Sequence, residues 1–211
     1  MSNRRLLTVV ACMCMIVVAS TFALRALAED KPMGGDASAM KGMTPEMMAE
    51  MAALAKPGPQ HAQLAKYVGD FKADVQMWMD ASQPPMKSAG KLKNEMVLGG
   101  RYLMGNYEGT FMDQPFHGMS CTGYDNGKKK WTNGWIDDMS TGTMFSEGDA
   151  DESGKTITTT CEMYCPQTKG MMKCRQVEKF VDDDTMTMEM HGPGPDGKEM
   201  KCMEIKYTRV K

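Results

Sequence analysis

Aliphatic side chains are scarce in this sequence. Beyond residue 28 it holds five leucines, three isoleucines and six valines, too few to fill the core of an ordinary domain unaided. Positive charge in excess is missing as well. With 25 Lys and Arg against 27 Asp and Glu, and a pI near 6.0, there is no broad basic surface to displace counterions from phosphates, which argues against DNA or RNA as partner. Histidine is rare: His61, His117 and His191 stand far apart. No Gly-x-Ser-x-Gly, His-Glu-x-x-His or phosphate-loop pattern occurs, and no acid, base and nucleophile come together, so the expectation is a protein that is not an enzyme.

One long apolar run is present, and it is N-terminal. Arg4 and Arg5 precede Leu6 to Leu24, and Ala26-Leu27-Ala28 is followed by Glu29 and Asp30. A basic start, an apolar stretch and a small-x-small site predict a cleaved export signal over 1–28 and a periplasmic or extracellular mature chain. Two other routes would keep the chain at a membrane. One is an uncleaved anchor, since about 19 apolar residues reach the lower limit for a span; the other is lipidation at Cys12 in Val9-Val10-Ala11-Cys12. Cleavage removes three arginines and no acid, leaving a net charge of −5.

Residues 29–43 are small, polar and Gly-rich, and read as a flexible leader. Thr44-Pro45-Glu46 is a helix start, and residues 44–67 are predicted as helical: one helix to Lys56, a stop at Pro57-Gly58-Pro59, then a turn from His61 to Tyr67. From 68 to 211 the chain breaks into about ten β-prone runs, near 70–80, 90–98, 101–110, 115–124, 129–137, 141–148, 156–164, 171–181, 185–191 and 199–209. Turn signals such as Asp125-Asn126-Gly127 and Pro195-Asp196-Gly197 separate them. Without helices long enough for parallel crossovers, the fold class is mainly β. The expected architecture is an antiparallel up-and-down barrel of about ten strands with a short N-terminal helical segment, closed because an open meander would leave bare edges.

What replaces the aliphatics is methionine, 23 of them beyond residue 28. Phe71, Ala73, Val75, Met77 and Met79 alternate with polar residues, and Met186, Met188 and Met190 repeat the pattern, which turns them toward an interior. Met40, Met43, Met47 and Met51 are spaced as one helical stripe. Two readings stay open for the methionines: flexible core material, or thioether ligands for Cu(I) in an exported protein.

Export leaves five cysteines, Cys121, Cys161, Cys165, Cys174 and Cys202. Cys161, Met163 and Cys165 share one strand face, and a four-residue turn over Pro166 to Lys169 sets Cys161 across from Cys174. Three readings are compatible with that placement: a Cys161–Cys174 disulfide, small core residues, or a soft-metal set of Cys161, Met163, Cys165 and Cys174. His191, at the end of an apolar strand, admits an axial haem role. Asp137-Asp138 and Asp182-Asp183-Asp184 read as solvated turns.

LAKYVGDF (64–71), NEMVLGGRYL (94–103), PFHGMSCTGYDNGKKKWTNGWIDDMSTG (115–142), VDDDTMTMEM (181–190) and GPDGKEMKCMEIKYTR (194–209) resemble the family of domain of unknown function 1579, over about 57–211. The resemblance implies a lipocalin-like, calycin-type barrel, with Gly69-Asp70-Phe71 in the place of the Gly-x-Trp element that opens such barrels. No activity is established for the family, so it implies no catalytic residue.

Two functions follow as expectations. The first is a barrel that binds a small apolar ligand such as a lipid, a quinone-like molecule or haem, lined by Met77, Met79, Met186, Met188, Met203 and Tyr207. The second is a periplasmic Cu(I) or thiol-redox protein using Cys161, Cys165 and Cys174.

Overall fold

The computed structural model describes residues 42–165 and 168–211. The expected export signal over 1–28, nearly all of the segment 29–43 expected to be a leader, including Met40, and Pro166 and Gln167 lie outside the described residues.

Among the described residues two helices precede the sheet. In α1 (Pro45–Ala55) Thr44 is the N-cap, its hydroxyl accepting from the Met47 amide at 3.3 Å, and Pro45 takes the first helical position where a missing N–H costs nothing. Helix α2 (Pro59–Ala65) starts at Pro59 rather than after it, for the same reason: proline is a good first residue as well as a stop. His61 caps α2, its Nδ1 accepting from the Gly58 amide at 3.0 Å. No residue of α1 is buried, and Met47 and Met51 are 51% and 45% exposed. The methionine stripe is therefore not core: Met47 and Met51 lie on a helix outside the barrel, and Met43 precedes that helix.

Ten strands follow: β1 (Gly69–Met77), β2 (Met86–Val97), β3 (Tyr102–Phe111), β4 (Gln114–Asp125), β5 (Lys130–Asp137), β6 (Met144–Ala150), β7 (Thr156–Cys165), β8 (Gly170–Phe180), β9 (Thr185–Pro193) and β10 (Glu199–Arg209). Each pairs antiparallel with the next, and β1 pairs with β10, so the sheet is a closed up-and-down barrel with no free edge. Period two decides which residues enter it. Phe71, Ala73 and Val75 of β1 are buried while Lys72 and Asp74 between them are exposed.

One end of the barrel is a floor. Leu64 and Tyr67 enter it behind α2 and join Phe71, Leu92, Leu103, Tyr107, Trp131, Ile157, Phe180 and Ile205 in one buried cluster. Tyr67 stacks on Phe180 with ring centroids 4.3 Å apart. Arg209, in the last strand, seals the seam: its Cζ lies 4.6 Å from the centroid of the Phe71 ring, and its guanidinium donates to the carbonyls of Lys66, Val68 and Asp183. Further up, Gly90 and Gly109 are cross-strand partners, and a side chain on either would collide with the Tyr107 ring. The two glycines make room for that ring on a wall of close-set strands.

The opposite half is built from sulfur. Cys161, Cys174 and Met190 are buried together, with Met144, Met163, Met172, Met188, Cys202 and Met203 packed against them.

Candidate ligand site in the barrel lumen

The inward faces of β7 to β10 meet between floor and sulfur cluster. Strand parity puts Glu178 on the inward face of β8, in line with Cys174, Gln176 and Phe180. Its register partners are Ile157 on β7 and Met188 on β9, and Met188 in turn faces Ile205 on β10. Burial alone pushes the Glu178 carboxyl above the ordinary carboxylate range; no hydrogen bond and no cation counters it. Among the described residues none donates to this carboxyl or pairs with it.

Tyr207, on β10, shares the space. Its hydroxyl is pushed well above the usual phenol range, first by burial, then by the nearby Glu178 charge and by Tyr107. Tyr107, on the far wall, is raised by burial as well. Other polar groups of the interior are partly matched. Thr159 Oγ1 donates to Gln176 Oε1 at 3.3 Å and Asn133 Nδ2 to Thr122 Oγ1 at 2.7 Å, whereas the buried Ser146 Oγ has no partner among the described residues. Glu178, Met188, Met203 and Tyr207 face inward yet are only half-buried. In a barrel filled by its own side chains such positions would lose all accessible surface.

Of the residues expected to line a cavity, Met188, Met203 and Tyr207 take inward positions on β9 and β10. Met186 is buried between Phe180 and Tyr207 and belongs to the floor cluster. Met77 ends β1, half-buried, opposite Met203. Met79 is not a lining residue: it lies past the end of β1, where alternation no longer holds, and is 62% exposed.

Cys161 and Cys174 are direct register partners and both are buried, as the turn length predicts. They are free thiols, not a disulfide. The Cys174 thiol donates to Cys161, which eases deprotonation of Cys161 and, with burial, holds that of Cys174 back. Met163 packs on the pair. The full set of Cys161, Met163, Cys165 and Cys174 is not assembled as a thiolate metal site, since among the described residues no group of three or more His, Cys, Asp or Glu is placed to hold a metal ion.

His191 points away from the lumen. Its neighbours Met190 and Gly192 take the inward positions of β9, while its Nε2 lies 3.0 Å from Glu189 Oε2 in an outer network with Lys201. An axial haem role inside the barrel is therefore ruled out for His191. His117 pairs with Asp138 at 3.0 Å on the outside, beside an open hollow of about 430 Å³ lined by Lys91 and Glu108. His61 is buried in the floor, where loss of solvent lowers its pKa.

Two residues that matter here escape a reading of the sequence. Glu178 follows Arg175 and precedes Lys179, so the stretch looks like a solvated face; counting by twos from Cys174 would have placed it inside. Arg209 acts on residues 141 and 143 positions earlier, and no local signal announces that.

Comparison with known proteins agrees with this architecture. The crystal structure of Rv2717c from M. tuberculosis superposes with a TM-score of 0.54 at 10% identity, over 74% of this chain and all of that one. The S-type phycobiliprotein lyase CPES from Guillardia theta gives 0.50 at 10% identity, over 71% of this chain and 92% of the other. At such identity the likeness is one of fold, a lipocalin-like barrel. No curated protein matches the sequence. The model of the protein family of unknown function DUF1579 matches residues 56–209, and the chain is a member of that family.

Proposed function

We propose that the chain is an exported, non-catalytic barrel that holds one small, largely apolar molecule in its lumen, entering from the end opposite α2. The observation that carries this reading is the inward face of Glu178, Met188, Met203 and Tyr207, which keeps accessible surface although strands wall it in. Thioether side chains suit such a space because they adapt to irregular apolar shapes. Export rests on the basic start, the apolar run and Ala26-Leu27-Ala28. The fold that this chain shares with a phycobiliprotein lyase is compatible with a bound small molecule. The same likeness leaves catalysis open to the architecture, and the non-catalytic reading rests on the sequence, which brings no acid, base and nucleophile together in a known pattern.

The test is fluorescence titration of the purified chain with N-phenyl-1-naphthylamine, an apolar dye that brightens when it leaves water. Saturable binding by the wild type, lost in Met188→Trp, is the expected result. Absence of binding, or binding unchanged by Met188→Trp, overturns the reading. Sequencing the N-terminus of the exported chain tests the other half: Glu29 is expected first.

The buried Cys161–Cys174 pair among thioethers supports a second reading, a soft-metal or thiol-redox site. It predicts stoichiometric Cu(I) uptake that disappears in Cys161→Ser with Cys174→Ser. Uptake unchanged in that double variant removes it.

A further inference from the structure

Glu178 sets a chemical condition on whatever fills the lumen, and this inference rests on the lumen-binding reading above. A carboxyl away from water is tolerated in two ways: it keeps its proton, or it is matched by a positive charge with good geometry. Among the described residues no side chain supplies that match. Lys72, Lys91, Lys93, Lys173, Lys179 and Lys206 point outward and are exposed. The arginine that shares the inward parity, Arg209, sits at the floor, held by Phe71 and by three backbone carbonyls. Asp137 at the opposite rim is already used, accepting from the Trp135 indole N–H at 2.8 Å and from the Met139 amide at 3.0 Å.

The surroundings of Glu178 are therefore asymmetric in a useful way. Apolar walls stand on both sides of it, Ile157 and Met188 in register, with Phe180 and Met186 below. Two phenols, Tyr207 and Tyr107, are close enough for charge to be felt between them. We propose that the lumen selects a lipophilic amine: an apolar body lying against Met188 and Met203, with a protonated nitrogen donating to the Glu178 carboxylate. A cation placed there takes the role that no side chain among the described residues fills. A neutral lipid would gain only the apolar contacts, and a fatty acid would bring a second anion beside an unmatched carboxyl, which disfavours it.

The experiment is displacement of N-phenyl-1-naphthylamine by three ten-carbon probes, decylamine, decanol and decanoate, each below its micellar concentration and in 0.5 M salt to suppress adsorption to the acidic exterior. Decylamine is expected to displace the dye from the wild type at a concentration about tenfold or more below that of decanol, the scale of one charge-assisted hydrogen bond. In Glu178→Gln, which keeps the shape and removes the charge, decylamine and decanol should become equivalent while decanol itself is unchanged. Glu189→Gln, on the outer face of β9, should leave the preference intact. An amine no better than the alcohol in the wild type, or an advantage that survives Glu178→Gln, overturns the inference while lumen binding stands. If neither dye nor probes bind, the lumen-binding reading falls and takes this inference with it. Should Glu178→Gln fold poorly, the wild-type order of the three probes still decides.

Discussion

The two halves of this barrel solve the same packing problem with different atoms. At the floor, a few aliphatics and most of the buried aromatics are packed until nothing is left exposed: Leu64 and Phe71 each keep 1% of their surface. In the other half Cys161, Cys174 and Met190 are buried, but Met163, Met172, Met188 and Met203 around them are only half-buried. A rigid ring stack determines one shape, whereas unbranched thioethers accept several. The scarce stiff side chains are concentrated where the barrel must close, and the abundant soft ones where its contents can vary.

That contrast can be broken most directly by truncation. Phe71→Ala is expected to cost about 3–5 kcal/mol in denaturant unfolding, as a fully buried ring under Arg209 should, and Met203→Ala under about 2 kcal/mol, because its site is already loose. Equal losses would show that the sulfur half is as tightly packed as the floor. Next in size is Arg209→Met, which keeps much of the stem over Phe71 but leaves three carbonyls without their donor; about 2 kcal/mol should be lost.

Glu178→Gln should go the other way, and only in part of the pH range. The folded pKa lies above the ordinary value of 4.5, so the native chain holds the proton longer than the unfolded one. Stability is then fully present below 4.5 and falls as pH rises through the folded value. The variant should match the wild type near pH 4 and exceed it in Tm at neutral pH without ligand. A gain of equal size at both pH values would point to packing rather than charge. The smallest effect belongs to Ser146→Ala: deleting a buried hydroxyl that has no partner should be neutral or stabilising by up to about 1 kcal/mol. A clear loss would mean that the hydroxyl is satisfied in solution.

Local rules carried the sequence a long way and then stopped at identifiable places. Period two in Phe71-Lys72-Ala73-Asp74-Val75 and in Met186 to Met190 exposes strands directly, because one face of each is buried. Turn chemistry between such runs is enough to give ten strands and, with edges forbidden, a barrel. The facing of Cys161 and Cys174 was legible for the same reason, as loop length sets register. The pattern misled where it was carried past an element's end, at Met79, and where a helical stripe had no guarantee of a partner, at Met47 and Met51. The haem role considered for His191 ignored the same rule, since an inward Met190 already turns the next residue outward. What could not be read at all was relational: Glu178 is unusual through the absence of a partner on other strands, and Arg209 matters through carbonyls at the far end of the chain.

The pairing of β1 with β10 has a consequence in time. Phe71 meets Arg209 across the seam, so the first strand made must wait for the last before either has its neighbour. Until then every hairpin between them hangs on an open sheet, and closing so long a loop is the slow, entropically opposed step of a barrel. A chain truncated a few residues before its end would lose Arg209 and with it the lock on the floor. The native state is thus withheld until the tenth strand has been made and has met the first, which is the condition a chain needs if it must cross a membrane unfolded.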